Sequence, residues 1–283
     1  MVWVYFAGLM AVSFAVTRLM LPKVMGMLTE AGFVKPNYRM EEIPLGVGMV
    51  FFLSTVIVLT GAVVFGWVKP SVYAFVFAVG GMSFFGLIDD VFGTRHATGL
   101  KGHFKKLFVD KELTTGALKA LAGGLIAIMV SLQSDDGAGL DKWILLILNS
   151  LIIALSTNAV NLFDLRPGRA AKVFLLIGVF LALAGCFSTS GSSEHIAYLA
   201  VITGSLLAYL PVDLKARAMM GDTGSNVLGL TLGYVTVFIM SIPLKVGFLL
   251  LLLGFHILTE KYSLTKIIEK NKFLNYIDMI GRK

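Results

Sequence analysis

Residues 71–92 read SVYAFVFAVGGMSFFGLIDDVF, an apolar run of membrane-span length that ends in the carboxylate pair Asp89-Asp90. A helix that crosses the hydrocarbon core of a bilayer needs roughly 20 predominantly apolar residues. Two further apolar runs border on polar clusters, NAVNLFD at 158–164 and MMGDTGS at 219–225. Charged groups at membrane depth are costly and usually mark function. The three clusters are therefore the first candidates for a functional site.

The composition indicates an integral membrane protein. Of the 283 residues, 57% are hydrophobic and only 14% are charged, whereas a soluble domain carries about 25% charged residues. A single Cys, Cys186, excludes an intramolecular disulfide and a thiolate metal site. The formal net charge of +7 favours contact with anionic lipid headgroups over binding of nucleic acid.

Nine apolar segments predict an all-α fold, a polytopic bundle of about nine transmembrane helices. The segments are residues 2–21, 46–66, 71–88, 114–133, 143–162, 173–189, 196–212, 226–241 and 243–259. They form one predicted membrane domain, residues 1–260. In the tail, residues 261–283, apolar residues recur at helical spacing with lysines between them. The tail predicts a basic amphipathic helix, either in the membrane interface or packed on the ends of the bundle.

The basic residues predict the orientation, since cytoplasmic loops carry an excess of Lys and Arg. With the N-terminus outside, the outer loops hold only Lys69, Lys142 and Lys245. The other 21 of the 24 Lys and Arg then lie on the inner side. We therefore expect the C-terminus and all three polar clusters on the cytoplasmic face.

Two of the clusters predict contacts with a metal ion and phosphate. Adjacent carboxylates such as Asp89 and Asp90 repel each other unless a cation lies nearby, and Mg²⁺ prefers one or two carboxylates plus substrate phosphates. The glycines of GDTGS let backbone N–H groups approach an anion at a helix N-terminus, and Asp222 between them suggests a metal–phosphate complex. The structural alternatives are a helix end that dips into water and a turn capped by Ser225.

The third cluster, Asn158, Asn161 and Asp164, recurs at i, i+3 and i+6. This spacing places the two Asn on one helix face and Asp164 within about a turn of it. The three side chains are candidates to orient a nucleotide or a metal ion. The alternative is that the Asn side chains only hydrogen-bond a neighbouring helix.

Basic residues near these clusters are candidates to contact phosphate. Arg166 and Arg169 follow the third cluster, and a guanidinium fork matches phosphate geometry, although positive-inside topology charges are the alternative. The loop 91–113, with Lys101 and His103, adds a cationic rim that would steer a nucleotide diphosphate. Lipid contact is the second interpretation of this loop.

In this order, the motifs resemble those of the polyprenyl-phosphate N-acetylhexosamine-1-phosphate transferase superfamily, glycosyltransferase family 4. The resemblance covers about residues 35–235. It rests on Asp89-Asp90, on Asn-x-x-Asn-Leu-x-Asp at 158–164 and on Met-Gly-Asp-Thr-Gly-Ser at 220–225. The motifs are weak to moderate one by one, and specific in this order and topology.

The resemblance implies a Mg²⁺-dependent phosphotransferase of the bacterial plasma membrane. Such an enzyme moves a sugar-1-phosphate, here expected to be HexNAc-1-phosphate, from a UDP-sugar to polyprenyl (undecaprenyl) phosphate and releases UMP. This reaction belongs to peptidoglycan or other envelope glycan synthesis. Mn²⁺ in place of Mg²⁺, and a homodimer, are left open.

The same resemblance implies roles for individual residues of this chain. The implied metal ligands are Asp222 and Asp89, and the implied catalytic residues are Asp89, Asp90 and Asp164. The implied substrate contacts are Asn158, Asn161, Arg166, Arg169, Lys101, His103, Thr223 and Gly224.

Three departures from the family pattern bear on the function. The family's Asp-Gly-Leu-Asp-Gly is replaced by residues 164–169, DLRPGR, so that a second acidic position becomes basic. The chain has nine predicted spans instead of about ten. The family's late histidine-bearing loop is absent, with His256 the nearest histidine.

The departures leave a second hypothesis open, a catalytically inactive homologue that binds the lipid carrier or a nucleotide and regulates envelope synthesis. A transporter is disfavoured, because its polar residues are expected near mid-span and the clusters here lie at helix ends.

Overall fold

The computed structural model describes residues 2–93, 114–134, 139–187 and 192–282. The described chain is almost entirely helical, with one short β-hairpin. The nine long helices are α1 (Val2–Glu30), α2 (Met49–Val64), α3 (Val72–Phe92), α4 (Thr115–Ser131), α5 (Leu140–Phe163), α6 (Arg169–Phe187), α7 (Ser192–Leu214), α8 (Gly221–Ile239) and α9 (Ile242–Lys261). The hairpin strands are β1 (Val34–Pro36) and β2 (Glu42–Pro44), and two short helices, α10 (Leu264–Lys270) and α11 (Lys272–Met279), follow α9.

The predicted all-α membrane bundle is confirmed in its coarse form. Each of the nine predicted apolar segments coincides with one long helix, in the same order. Five of these helices, α1, α3, α5, α7 and α9, are long and apolar enough to cross a membrane, while α2 and α4 are apolar but shorter. The count of about nine membrane crossings stays a prediction.

Helix α8 is the centre of the bundle. It is buried at every position except Asp222 and Phe238. Its glycines permit close packing, since a Cβ added at Gly229 would lie 2.5 Å from the backbone of α5 and one at Gly233 would lie 2.7 Å from Ile153 Cα. Small residues bring helices together in a membrane, where apolar surface alone does not drive association. Helix α8 is therefore held against α5 along its length.

The hairpin β1–β2 is an element that the sequence analysis did not predict. Its strands are antiparallel, with Val34 paired to Pro44. The end of β2 and the chain that follows it are joined to the segment before α8, because Met219 donates its N–H to Pro44 O (2.9 Å) and Gly48 donates to Met220 O (3.1 Å). The hairpin thus fixes the approach to the start of α8.

The tail corrects the prediction of a single amphipathic helix. It forms two helices that meet at Asn271, whose side-chain oxygen accepts hydrogen bonds from Phe273 N and Leu274 N (3.1 Å each). Asp278 is buried at 6% exposure, whereas Phe273 and Tyr276 are each 70% exposed. The tail therefore packs on the bundle through a charged residue and turns apolar side chains outward, as expected of a segment beside lipid.

Asp278 joins the tail to the start of α6. Its carboxylate accepts two hydrogen bonds from Arg169, at 2.9 and 2.8 Å, and one from Arg282 at 2.7 Å. Arg282 also donates to Pro167 O (2.8 Å). We call Arg169, Asp278 and Arg282 the tail ion cluster. Burial alone would raise the pKa of Asp278, but the hydrogen bonds and charges of the two arginines outweigh it and lower the pKa.

We expect Asp278→Asn to lower the free energy of unfolding by about 3 kcal/mol, because removing one partner leaves a buried charge uncompensated. The pKa of Asp278 is lowered below 3.8 in the folded state. Its contribution is therefore full well above that pH, and it is lost as the pH falls through the folded pKa. Thermal unfolding in detergent from pH 7 to pH 3 measures the effect. The difference between parent and variant should shrink at the acid end, while Glu269→Gln, exposed in the same tail, should match the parent throughout. A variant as stable as the parent at pH 7 would contradict the assignment.

Candidate active site

The ends of four helices converge on one polar site. Asp89 lies in the last turn of α3, Lys119 in the second turn of α4, Asn161 in the last turn of α5 and Asp222 in the first turn of α8. The structure thus brings together residues from all three sequence clusters, as predicted, and adds a lysine from a fourth helix.

Asp90 binds the start of α8. It is buried at 8% exposure, and its two carboxylate oxygens accept hydrogen bonds from Asp222 N (2.9 Å), Thr223 N (2.9 Å) and Thr223 Oγ1 (2.6 Å). Unpaired N–H groups at a helix N-terminus favour a negative charge. Asp90 therefore caps α8 from outside and positions Asp222, so it differs in role from its neighbour Asp89.

Asp89 and Asp222 share one cation, the ammonium group of Lys119. Lys119 Nζ lies 2.6 Å from Asp89 Oδ2 and also contacts Asp222 Oδ2. Asn161 Nδ2 donates to the same Asp222 oxygen at 3.2 Å, and Asn161 Oδ1 accepts from Ser225 Oγ at 3.1 Å. We call Asp89, Asp222, Lys119 and Asn161 the carboxylate–ammonium cluster. The two acidic side chains and the lysine are each about one-fifth exposed, so solvent and ions reach the cluster.

Sequence reasoning missed Lys119. It lies within the apolar segment 114–133, in TGALKALAGG, and was counted only among the basic residues of the inner side. The signal that could have found it is the charge itself, because an ionisable residue in a membrane helix is a functional candidate by default. Thr114 caps α4 by accepting from Ala117 N (3.1 Å) and so fixes the turn from which Lys119 extends.

Asp164 lies just beyond α5, among other acidic side chains near the carboxylate–ammonium cluster. Burial raises the pKa of its carboxyl, and the charges of Asp213, Asp222 and Asp90 raise it further. Asp213, which sequence reasoning also missed, is buried and accepts the Gly168 N–H at 2.9 Å. The end of the loop that precedes α6 is therefore fixed by Asp213, through Gly168, and by the tail ion cluster, through Pro167 and Arg169.

Asn158 lies about one turn before Asn161 on α5 and meets His256 of α9. His256 Nδ1 lies 2.8 Å from Leu252 O, and because a carbonyl only accepts, this nitrogen carries the proton in that contact. His256 Nε2 is then the acceptor for Asn158 Nδ2, 3.0 Å away. His256 is thus bound to one predicted site residue, although the sequence placed it outside the cytoplasmic loops.

The predicted phosphate-binding arginines have different surroundings. Arg169 is engaged by Asp278 and donates to Thr265 Oγ1 at 3.1 Å, so the structure brings it to the tail. The guanidinium group of Arg166 lies 5.5 Å from the centre of the Tyr38 ring. The guanidinium group of Arg39 lies 5.1 Å from the centre of the same ring. Arg166 thus remains partly exposed, whereas Arg169 is buried.

Thr223 and Gly224 are buried within the fold. Thr223 is bound to Asp90, and Gly224 packs on Gly48 so closely that an added Cβ would lie 2.8 Å from Gly48 Cα. Both therefore shape the start of α8 from behind the cluster. Lys101 and His103 lie outside the described residues.

The residues present fit a divalent cation that is shared with a substrate. Within the described part of the chain no group of three or more His, Cys, Asp or Glu is arranged to hold a metal ion by itself. Asp89 and Asp222 nevertheless converge on one positive charge, and Mg²⁺ is commonly bound by one or two carboxylates plus substrate phosphates. These two carboxylates are the ones that would hold such an ion.

The fold and this site define a helical membrane protein with a cluster of charged and polar side chains where its helix ends meet. The model of the family described as Glycosyl transferase family 4 matches residues 72–240, a region that contains the whole carboxylate–ammonium cluster. The chain belongs to this family. It is a multi-pass membrane protein of a transferase family.

Three similar proteins carry the name phospho-N-acetylmuramoyl-pentapeptide-transferase. The protein of Acetivibrio thermocellus is 27% identical over 244 residues, which are 82% of this chain and 72% of the relative. That of Clostridium kluyveri is 31% identical over 225 residues, 75% of this chain and 66% of the relative. That of Clostridium perfringens is 26% identical over 269 residues, 89% of this chain and 80% of the relative.

The contact between α3 and α8 gives a prediction about site geometry. A Cβ added at Gly86 would lie 2.4 Å from Asp222 O, whereas one added at Gly61 of α2 would meet nothing within 4 Å. We expect Gly86→Ala to lower the free energy of unfolding by about 2 kcal/mol, as overpacking does, since backbone has no room to yield. Gly61→Ala is the matched control and should not destabilise the protein. Thermal unfolding of both variants in detergent is the measurement, and equal melting temperatures would contradict the packing described.

Proposed function

We propose that this protein transfers a sugar-1-phosphate, HexNAc-1-phosphate, from a UDP-sugar to polyprenyl phosphate and releases UMP. The observation that carries the proposal is the convergence of Asp89, Lys119, Asn161 and Asp222 on one partly exposed point. The family model and the names of the relatives support the same class of reaction. Envelope glycan synthesis in a bacterial plasma membrane is the corresponding process.

The reaction exchanges one phosphoanhydride for another. An oxygen of the polyprenyl phosphate forms a bond to the phosphorus that carries the sugar, while the bond from that phosphorus to the UMP oxygen breaks. Negative charge accumulates between two phosphorylated molecules, so catalysis needs positive charge in a fixed place. A divalent ion bound to Asp89 and Asp222 would supply Lewis-acid stabilisation of that charge.

The protein's own residues fix the geometry that this chemistry needs. Asp90 holds the N-terminus of α8 and with it Asp222. Asn161 donates to Asp222 and orients its carboxylate. Lys119 carries a positive charge on a flexible stem beside both acids. Asp164, whose pKa is raised by burial and further by the acidic residues around it, is the candidate to hold a proton near the lipid phosphate.

A catalytically inactive homologue that binds lipid carrier or nucleotide is the second candidate. It is favoured by the loop 164–169, in which Arg169 is bound to Asp278 of the tail instead of facing the cluster. Against it stands the preserved convergence of the acidic residues. The assay that tests the first proposal also separates the two.

We expect purified protein to release UMP when it is given undecaprenyl phosphate, Mg²⁺ and one of a panel of UDP-HexNAc donors. Asp89→Asn and Asp222→Asn should each lower the rate about 100-fold or more, as the loss of electrostatic stabilisation of the transition state does. Asp141→Asn, at an exposed residue at the other end of α5, is the control and should keep the parent rate. If no donor gives UMP while nucleotide or lipid phosphate still binds, the protein is the inactive homologue.

The orientation is part of the proposal, with the cluster facing the cytoplasm. Its support is the excess of Lys and Arg at this end of the bundle. In a Cys186→Ala background, we expect Lys69→Cys to react with an impermeant maleimide in intact cells. Lys266→Cys should react only after the membrane is opened. Both positions are exposed, so burial does not confound the comparison. The reverse pattern would place the site outside and remove access to cytoplasmic UDP-sugars.

A further inference from the structure

The ammonium group of Lys119 occupies the point at which two carboxylates from different helices meet. Asp89 is supplied by α3 and Asp222 by α8, and each uses its Oδ2 atom for Lys119 Nζ. Asn161 donates to the same oxygen of Asp222. A divalent ion held by Asp89 and Asp222 would therefore compete with the ammonium group for these two carboxylates.

The neighbouring negative charges favour a cation at this point. Asp90 and Asp164 add to the acidic surroundings of Asp222. Lys35, from the hairpin, donates to the backbone carbonyl of Asp90 (2.8 Å) and not to a carboxylate of the cluster. Like charges that share a partly buried site repel each other strongly, so positive charge between Asp89 and Asp222 stabilises the pair.

We propose that Lys119 and the divalent metal ion bind to the Asp89–Asp222 pair in alternation. The ammonium holds the pair in place in the resting protein, and the metal ion displaces it when it arrives with the phosphates of its substrate. This inference rests on the proposed function and deepens it by assigning Lys119 as the residue that makes metal binding depend on substrate.

The physical properties of the groups permit this exchange. Lysine carries its charge on a four-carbon stem with freely rotating bonds, and the Lys119 side chain is 18% exposed. It can leave the pair without moving α4. Asp90, by contrast, is held by three hydrogen bonds to α8 and does not exchange. Once released, the ammonium is a free cation next to the phosphates that the metal ion binds.

The exchange has a thermodynamic consequence. A metal ion that must displace an ammonium group binds weakly by itself. Substrate phosphates would strengthen its binding, because they would both complete its coordination and bind the displaced ammonium group. Linkage is reciprocal, so the metal ion strengthens substrate binding by the same factor. Removing the ammonium should therefore strengthen metal binding in the absence of substrate.

Mn²⁺ binding to the purified full-length protein in detergent, followed by electron paramagnetic resonance without any substrate, tests this directly. We expect Lys119→Met to bind Mn²⁺ at least about tenfold more tightly than the parent, a difference of about 1.4 kcal/mol. Asp222→Asn added to Lys119→Met should abolish the gain. Lys142→Met removes a lysine at the other end of α5 that is exposed and should leave Mn²⁺ affinity unchanged.

A second variant keeps the test open if Lys119→Met does not fold. Lys119→Cys in a Cys186→Ala background can be modified with a reagent that attaches an ethylammonium group or with one that attaches a neutral methyl group. The ammonium adduct should bind Mn²⁺ weakly, and the neutral adduct tightly. Equal affinity of the two adducts, or an affinity of Lys119→Met no greater than that of the parent, overturns the exchange and makes Lys119 a fixed partner of the carboxylates.

The measurement is independent of turnover. If no UDP-sugar supports UMP release but Lys119→Met gains Mn²⁺ affinity, the exchange holds and the proposed reaction fails. If transfer is observed and the gain is missing, the reaction holds and the exchange fails.

Discussion

The carboxylate of Asp90 is bound to the first turn of α8 by three hydrogen bonds, two from backbone N–H groups and one from the Thr223 hydroxyl. A buried carboxylate is costly unless its oxygens are satisfied, and the free N–H groups of a helix start need an acceptor. The Asp90 carboxylate provides the acceptor for the N–H groups, and these N–H groups satisfy its oxygens. The end of α3 and the start of α8 are thereby joined. Gly86 and Gly221 permit the contact, since an added Cβ would lie 2.4 Å from Asp222 O at Gly86 and 2.3 Å from Asp90 Oδ2 at Gly221.

The same contact explains how two adjacent aspartates come to have different tasks. Successive residues on a helix point about 100° apart, so when Asp90 faces α8, Asp89 faces the neighbouring α4 and its Lys119. One carboxylate builds the site and the other is part of it. Asp222 completes the cluster because Asp90 holds its backbone, and Asn161 then orients its side chain. The two adjacent carboxylates thus have different partners, Asp90 the backbone of α8 and Asp89 the ammonium group of Lys119.

The loop after Asp164 shows how a departure from the family pattern is accommodated. Where a second acid was expected, the chain has Arg-Pro-Gly-Arg, and Arg169 finds its counter-ion in Asp278, about 110 positions further along the chain. A guanidinium buried at 4% exposure requires such a partner. The tail is consequently part of the support of the site. Asp213 accepts a hydrogen bond from Gly168 in the same segment, so the tail and α7 together fix the loop that follows Asp164.

The sequence by itself determined the class of fold and the region of the site. Nine apolar runs of membrane length give a helical bundle because lipid leaves the backbone no other partners, and polar clusters at the ends of those runs identified Asp89, Asn161 and Asp222. Only the tertiary structure decided the rest. Lys119 joins the site because α4 packs beside α3, Asp90 is distinguished from Asp89 by the helix it faces, and Arg169 is turned to Asp278. The physical reason is that hydropathy is a property of each segment, whereas the partner of a charge depends on which helices become neighbours. Contacts between residues 30 to 133 positions apart leave no pattern in a single sequence.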